Sequence, residues 1–203
     1  MVGTISCKYC GQIFIYYSSE NLREKYKKEV VPEMKKKFGY KSIISVPKIL
    51  KVTVNTGFGK MVSGKTGDDL KNTTEAIVND LESITGQHPT VTRAKKSIAS
   101  FKLRMGMPVG AATTLRKGKM EDFIKRLNDV VLPRSRDFRG IDPKAFDKNG
   151  NLTIGIKEQI IFPEVYSEKV RNIFGLEVTV VTSAKTKEEG IALLRLMGFP
   201  LRP

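Results

Sequence analysis

The segment KILKVTVNTGFG, residues 48–59, decides the fold class. Ile49, Val52 and Val54 predict a β-strand, and the glycines that follow predict a turn. Polar residues interrupt the apolar ones, so we expect a strand with one buried and one solvated face. Strands of a parallel α/β sheet are usually apolar throughout, because helices cover both faces. We therefore predict an α+β fold, in which helices pack on one face of a mainly antiparallel sheet.

Before this strand, residues 20–38 carry an apolar side chain at every fourth position, from Leu22 to Phe38. This spacing predicts an amphipathic helix. Gly39 is expected to end the helix, and Pro32 is expected to kink it or divide it in two. A chain of 203 residues with 40% hydrophobic content is long enough for one good core. We interpret residues 21–203 as one domain and residues 1–20 as an N-terminal extension.

After the strand, the patterns predict three more helices, three more strands and one long loop. The helices are expected at residues 70–84 (capped by Asp68 or Asp69, ended by Gly86), 120–131 (ended by Pro133) and 186–199 (ended near Gly198). The strands are expected within residues 109–120, 152–162 and 176–184. Residues 133–151 are rich in proline, glycine and aspartate, which predicts the loop.

The charge of the chain indicates the class of its partner. There are 36 lysines and arginines against 21 acids, for a formal net charge of +15. Residues 83–120 contain no acid, although a solvated face normally mixes both signs. Their cations are Arg93, Lys95, Lys96, Lys102, Arg104, Arg116, Lys117 and Lys119. This acid-free stretch predicts contact with a phosphate backbone. No segment has the length and hydrophobicity of a membrane span or a secretory signal, so we expect a soluble protein with no membrane partner.

Within this stretch, TRAKKSIASFKLRMGMPVG (residues 92–110) places apolar residues such as Ile98 and Met105 among the cations. Gly106 and Pro108 follow closely. This composition predicts a long basic projecting loop whose base packs on the domain and whose tip contacts nucleic acid. We expect Phe101 to attach the loop to the domain, with base stacking as the alternative. No duplex-reading motif is present, so structured RNA is the expected ligand.

One motif points to a different function. Residues Gly59 to Thr66 match the phosphate-binding pattern GxxxxGK[ST], and they follow a predicted strand. A P-loop NTPase is therefore the alternative hypothesis. Against it, Gly67, Asp68 and Asp69 come next, which delays the helix and puts two carboxylates where phosphate oxygens would lie. The preceding strand is also not apolar throughout.

Other catalytic or metal-binding patterns are weak. Cys7 and Cys10 form one CxxC pair, but a structural zinc site needs four ligands, and the single histidine, His88, is distant in sequence. No carboxylate pair has a spacing that requires acid–base chemistry. We predict no catalytic residue, no metal and no cofactor.

Six segments, in this order, resemble the bacterial-type ribosomal protein L5 family, whose members bind 5S rRNA in the large ribosomal subunit. They are VPKILKVTVNTGFG, ITGQHPTVTRAKKSIASFKLRMGMPVG, TTLRKGKMEDFIKRL, LPRSRDFRGIDPKAFDKNGN, GIKEQIIFPEV and TSAKTKEEGIALLRLMGFP. The similarity runs from about residue 21 to residue 201. It implies a five-stranded sheet with packed helices in the central protuberance. It also implies a structural role in which 5S rRNA is joined to the large rRNA, and no enzymatic activity.

The resemblance also assigns residues and partners. The 5S rRNA contacts correspond to Asn55, Gln87, Thr114 and Arg116. The extension toward P-site tRNA and rRNA backbone corresponds to Arg93, Lys95, Lys96, Lys102 and Arg104. The segment that meets a small-subunit head protein across an intersubunit bridge corresponds to residues 136–151, with Arg136, Asp137, Arg139, Lys144 and Lys148. Neighbouring 5S-binding ribosomal proteins are further implied partners. The implied location is a bacterial cytoplasmic ribosome, with an organelle ribosome as the alternative.

The chain departs from the family in three places. His88 stands where the family prefers arginine or lysine, and Gly118 lies one position later than the usual glycine. Residues 1–20 have no counterpart. The first departure concerns one contact to the RNA backbone, the second concerns the turn at Gly118, and the third concerns the role of the N-terminal segment.

Overall fold

A computed structural model describes residues 3–6, 13–16, 22–136, 138–165 and 172–202. The chain divides into two compact units. The sheet unit comprises residues 50–120 and 153–181, and the helical unit comprises residues 1–49, 121–152 and 182–203.

The sheet has five strands, which are β3 (Ile49–Gly57), β4 (Thr90–Arg93), β5 (Pro108–Leu115), β6 (Leu152–Ile156) and β7 (Leu176–Thr182). They lie in the order β4-β5-β3-β7-β6. β5 is antiparallel to both β3 and β4. β3 and β7 are also antiparallel. Asn55 donates a hydrogen bond to Glu177, and the next residue, Thr56, donates one to the carbonyl of Gly175, which lies two positions earlier in the chain than Glu177. The predicted α+β class with an antiparallel five-stranded sheet is confirmed.

One face of the sheet forms the core of its unit. Val52 and Val54 on β3 and Val178 and Val180 on β7 have no exposed surface. Helix α4 (Gly67–Thr85) contacts β5 and has four apolar residues buried, namely Ile77, Val78, Leu81 and Ile84. Their three- and four-residue spacing places them on one side of the helix. The alternating pattern of β3 thus reflects burial on one face only.

The ends of α4 follow from local chemistry. Thr66 precedes the helix without a side-chain cap, and Asp68 and Asp69 lie inside the first turn. The prediction that either aspartate caps the helix is therefore wrong; in the first turn their charge instead favours the helix dipole. Gly86 ends the helix with φ of 65°, in the left-handed region that favours glycine, as predicted.

In the helical unit, the first helix is continuous across its proline. It runs from α1 (Leu22–Lys25) through a π-helical turn (Tyr26–Val30) into α2 (Val31–Phe38). A proline lacks the N–H donor, and its ring crowds the carbonyl four residues earlier. The π turn immediately before Pro32 widens the helix, so Pro32 is accommodated without a break.

The second helix repeats this arrangement. It runs from α5 (Lys117–Arg126) through a π turn (Leu127–Val131) into α6 (Leu132–Arg134). Its predicted end at Pro133 is wrong, because the same widening before the proline lets the helix continue to Arg134. Its predicted start was also late, since β5 ends at Leu115 and the helix begins at Lys117.

The last helix, α7 (Lys187–Leu196), contacts α2, and Thr186 caps it by accepting the N–H of Glu189. Gly190 packs against the backbone of Gly150, and a Cβ at Gly190 would overlap the atoms of Gly150. This close approach attaches the long loop of residues 135–151 to α7.

Two further differences from the sequence prediction concern strands. The strand expected over residues 152–162 ends at Ile156, and Gln159–Ile161 is a 3₁₀ turn. In the N-terminal extension, β1 (Gly3–Ser6) pairs antiparallel with β2 (Ile13–Tyr16), which the sequence did not predict. Cys7 and Cys10 lie outside the described residues.

Candidate nucleic-acid interface

The face of the sheet opposite the core carries small polar side chains. We call it the open face and define it by Thr53, Asn55, Thr90, Thr114, Thr153 and Thr179. Cross-strand pairing places Thr53 opposite Thr114, and it places Asn55 and Thr90 on either side of Ala112. Thr153 and Thr179 have their hydroxyl oxygens 3.4 Å apart. The pleat points these side chains away from the buried valines.

The chemistry of this face suits a folded RNA. Threonine hydroxyls both donate and accept hydrogen bonds, and an asparagine amide does the same through two different atoms. Short side chains on a regular sheet also leave the surface even enough for a broad partner. The wide, shallow minor groove of RNA offers ribose 2′-hydroxyls and base edges to such a surface.

Asn55 has a fixed orientation on the open face. Its amide Nδ2 donates to Glu177 Oε2 at 3.0 Å. Because the carboxylate oxygen accepts this hydrogen bond, the amide nitrogen faces Glu177. The amide oxygen Oδ1 then remains as the acceptor for a partner. Glu177 was not among the sequence-predicted site residues, because nothing in its local pattern links it to Asn55.

The other predicted 5S rRNA contacts lie at one end of the same strands. Gln87 is exposed just before β4, and Arg116 is exposed just after β5. Because β4 and β5 are antiparallel, the start of one lies beside the end of the other. Lys119 reinforces this end by donating to the carbonyl of Gly86 at 2.9 Å. The structure therefore gathers Gln87 and Arg116 at one end of the two strands that carry Thr90 and Thr114.

His88, where the resemblance leads us to expect a cation, is also exposed at this end. Its Nδ1 lies 2.8 Å from Glu82 Oε2. The histidine is therefore engaged with an acid from the last turn of α4.

The basic loop, residues 93–107, joins β4 to β5. The backbone of Ala94 exchanges hydrogen bonds with this loop's other end, donating to Met107 at 2.8 Å and accepting from Gly106 at 2.9 Å. Further along, Ile98 and Leu103 form an isolated antiparallel bridge. The loop therefore continues the β4–β5 hairpin as an ordered ribbon.

The turn of the basic loop is held against α3 (Gly59–Val62) and the residue that follows it. Ser63 donates through Oγ to the carbonyl of Phe101 at 3.0 Å. The Phe101 side chain itself is 64% exposed. The expectation that this side chain attaches the loop is therefore wrong, since the backbone carbonyl makes the attachment. The ring remains available at the surface.

The cations of the basic loop face solvent. Arg93, Lys95, Lys96, Lys102 and Arg104 are all exposed. Arg93 donates to the carbonyl of Gly106 at 3.1 Å, and within the described part of the chain no acid lies within salt-bridge distance of these five side chains. Clustered charge without a counter-charge is expected to attract a polyanion.

The predicted bridge segment lies in the helical unit. Arg136, Arg139, Lys144 and Lys148 are exposed, while Asp137 lies outside the described residues. The segment is irregular, but hydrogen bonds within it, to Asp142 and Asp147, hold its backbone.

The two aspartates organise the bridge segment through backbone contacts. Asp142 accepts the N–H of Lys144 at 2.8 Å, and Asp147 accepts those of Asn149 and Asn151 at 2.9 and 2.7 Å. Desolvation alone would raise the pKa of Asp147, but the hydrogen bonds from Asn151 and Asn149 outweigh it and lower this pKa below its ordinary value. The carboxylate is thus stabilised in its ionised form.

The residues of the phosphate-loop motif do not form a phosphate cradle. Gly59–Val62, which would have to form the loop, is a helical turn, and α4 begins only after the motif, at Gly67. Lys65 donates through Nζ to Thr73 Oγ1 at 2.9 Å, so its side chain lies along α4. Asp68 and Asp69 occupy the helix start. The geometry therefore argues against the NTPase alternative.

Two kinds of feature are missing from the described residues. No group of three or more histidine, cysteine or acidic side chains there could hold a metal ion. No helix in the described ranges is long and apolar enough to cross a membrane.

Comparison with known proteins identifies similar chains over most of this length. Residues 42–104 match the family described as ribosomal protein L5, and residues 108–201 match the C-terminus of the same ribosomal family. The chain is 52% identical over 179 residues to the large ribosomal subunit protein uL5 of Halothermothrix orenii, covering 88% of this chain and 97% of that one. It is 53% identical to the protein of the same name from Alkaliphilus oremlandii over equal shares of both chains. The corresponding protein of Chloroflexus aurantiacus is 52% identical over 181 residues, or 89% of this chain and 97% of its own.

Proposed function

Because this chain belongs to the ribosomal protein L5 family, we propose that its open face binds 5S rRNA and joins it to the large rRNA in the central protuberance. The chain is a structural constituent of the large ribosomal subunit and not an enzyme. Its ribosome-bound location and its RNA partner follow from the same membership. The finer assignment of surfaces to partners rests on the geometry described above.

The observation that supports the 5S assignment is the composition of the open face. Asn55 and Thr114 lie on it together, and Gln87 and Arg116 lie at the adjoining strand ends. Neutral hydrogen-bonding groups beside the Glu177 carboxylate, with the cations Arg116 and Lys119 at one end of the strands, fit an RNA that presents both 2′-hydroxyls and phosphates. Regular pairing of β3 and β5 holds these groups in place before RNA binds.

The basic loop is proposed to contact P-site tRNA and rRNA backbone. Its support is a set of exposed cations on an ordered ribbon, for which the described residues supply no acid within salt-bridge distance, namely Arg93, Lys95, Lys96, Lys102 and Arg104. Contacts to phosphate position a partner and carry no sequence information directly. This role suits a surface that must accept many different tRNAs.

The bridge segment is proposed to meet a small-subunit head protein. Its exposed cations sit on turns that Asp142 and Asp147 organise, so it presents charge from an ordered backbone. We further propose that residues 21–203 act together as one RNA-binding domain beside neighbouring 5S-binding proteins, with residues 1–20 as an extension.

Binding of labelled 5S rRNA to the purified chain tests the main assignment. We expect binding at low ionic strength that unlabelled 5S rRNA displaces and random duplex DNA displaces poorly. Equal displacement by both would contradict the proposal. As a control for the rejected alternative, Lys65→Ala should leave 5S binding unchanged, and neither form should bind ATP or GTP.

A further inference from the structure

A second stretch of the sequence lacks acids. From Met34 to Gly67 there is no aspartate or glutamate. The part within the helical unit, residues 34–49, contains five lysines, which are Lys35, Lys36, Lys37, Lys41 and Lys48. All of them except Lys35 are exposed. None of the surfaces assigned above uses this region.

Two large apolar side chains stand in the middle of this lysine-rich stretch. Ile44 is 94% exposed and Ile43 is 63% exposed. Single exposed apolar residues are common on soluble proteins. Two adjacent exposed isoleucines are a different case, because here they stand between Lys41 and Lys48 in a stretch of sequence that contains no acid. We call residues 41–48 the isoleucine turn.

The isoleucine turn is ordered, so the exposure of its side chains is built into the fold. The pair lies in a 3₁₀ helix, Ile43–Ser45, and Ser42 caps it by accepting the N–H of Ile44 at 3.3 Å. Just beyond, Val46 is only 3% exposed, and its carbonyl accepts from the Tyr26 hydroxyl at 3.3 Å.

The far end of the isoleucine turn is held from another direction. Lys48 donates its N–H to Ser183 Oγ at 2.9 Å, and its carbonyl accepts the N–H of Ser183 at the same distance. With both ends attached within the helical unit, little conformational entropy remains to be lost when a partner binds.

We propose that the isoleucine turn binds the large-subunit rRNA, with Ile43 and Ile44 packed against an exposed nucleobase or ribose and the flanking lysines on adjacent phosphates. This inference rests on the proposed function, in which the chain joins two RNAs. RNA offers apolar base faces and phosphates side by side, and apolar side chains such as isoleucine are used to contact unstacked bases in nucleic-acid complexes.

The large rRNA is the favoured RNA because the open face already accounts for 5S rRNA. A protein that joins two RNAs needs a surface for each. The isoleucine turn and the open face belong to different compact units of the chain.

Site-specific photo-crosslinking tests this proposal in the assembled ribosome. p-Benzoylphenylalanine placed at Ile44 should give an adduct that ribonuclease destroys, and primer extension should map it to the large rRNA. The matched control places the same probe at Asn79, which is exposed on α4 among Glu75 and Glu82, and it should give no RNA adduct. An adduct to protein, an adduct to 5S rRNA, or a yield at Ile44 no higher than at Asn79 would each overturn the proposal.

A competition assay gives an independent measurement. The double variant Ile43→Ser, Ile44→Ser is co-expressed with the unaltered chain, and its share of the large-subunit peak should fall about tenfold, because apolar burial is lost. Ile173→Ser, at another exposed isoleucine (60% exposed), should keep its share.

The purified double variant should bind 5S rRNA as well as the unaltered chain does. That result separates this proposal from the 5S assignment. Failure of the unaltered chain to bind 5S rRNA would contradict the proposed function. If the unaltered chain binds 5S rRNA but the double variant enters large subunits as well as the unaltered chain does, the isoleucine turn is not an RNA contact.

Discussion

The open face and the basic loop lie in the same compact unit and on directly connected strands, yet they are built for different kinds of contact. The residues that define the open face are neutral, such as Asn55 and Thr114, and strand pairing holds them at set spacings, although the Glu177 carboxylate lies beside Asn55. The basic loop presents exposed cations, such as Lys95 and Lys96, on long flexible side chains. Hydrogen bonds on the first surface depend on geometry, whereas charge on the second depends on ionic strength.

This difference matches the two kinds of RNA partner proposed above. A permanent partner gains from a surface whose hydrogen-bonding groups are positioned in advance. A partner that enters and leaves, such as tRNA, gains from contacts that attract phosphate without requiring one sequence. Substitutions on each surface therefore test whether the two surfaces separate in this way.

The largest effect is expected from neutralising the basic loop. Each phosphate contact contributes about 0.7 to 0.9 to the slope of log affinity against log salt. Removing four contacts should lower the slope for tRNA binding by about 3 and weaken binding about 10³-fold at low salt. Filter binding across a salt series measures both. The four changes are Lys95→Gln, Lys96→Gln, Lys102→Gln and Arg104→Gln.

The matched control removes the same charge from scattered surface positions. Its substitutions, all at exposed lysines outside the acid-free stretches, are Lys27→Gln, Lys71→Gln, Lys157→Gln and Lys185→Gln. This control should change the slope far less than the loop variant does. Equal slopes for the two variants would show that net charge, and not the loop, attracts tRNA.

A smaller loss of affinity, without a change in its salt dependence, is expected from a substitution on the open face. Asn55→Ala should weaken 5S rRNA binding about 10- to 100-fold, because a hydrogen-bonding group that RNA needs is lost. The salt slope should not change, since no charge is removed. Asn79→Ala, at an exposed asparagine on α4, is the control and should bind within about twofold of the unaltered chain. A changed slope for Asn55→Ala would contradict the distinction between the surfaces.

The hydrogen bond to Glu177 is expected to hold the Asn55 amide in the orientation that binds 5S rRNA, so its loss should lower the affinity. Glu177→Leu frees the Asn55 amide to rotate, so 5S rRNA binding should weaken about fivefold, corresponding to about 1 kcal/mol. Glu177→Gln retains an acceptor for Asn55 Nδ2 and should bind at least as well as the unaltered chain. In an Asn55→Ala background, Glu177→Leu should cause no further loss, which a double-mutant cycle measures.

The smallest effect is expected at the attachment of the basic loop. Ser63→Ala removes the hydroxyl that donates to the Phe101 carbonyl, a hydrogen bond worth about 1 kcal/mol. Backbone amide exchange near the turn should accelerate about fivefold, while exchange in β3 stays the same. Unchanged exchange at the turn would show that other contacts hold it.

The sequence predicts the basic loop better than the open face, and the reason is physical. A cluster of cations without acids is visible in the order of residues, so the loop could be located directly. The open face has no such signal, since Thr53 and Thr179 are ordinary strand residues where they stand and come together only through strand pairing. Asn55 and Thr114 were identified through the family resemblance, and Glu177 was missed.

The same limit applies to the fold. β3 and β7 were predicted because their apolar residues alternate over many positions. β4 was missed, since only Val91 in Thr90–Arg93 is apolar and its pairing with β5 supplies the structure. Pro133 was misinterpreted because a proline normally ends a helix, and the π turn that accommodates it leaves no mark in the residue pattern.

Methyl NMR of the chain titrated with 5S rRNA is the sharpest test of whether the open face and the basic loop serve different partners, because it observes both surfaces in one sample. We expect the threonine methyls of Thr53, Thr90 and Thr114 to shift at one equivalent of RNA at moderate salt, while the methyls of Ile98 and Ala99 in the basic loop do not shift. Shifts confined to the basic loop, with the open face unchanged, would contradict it.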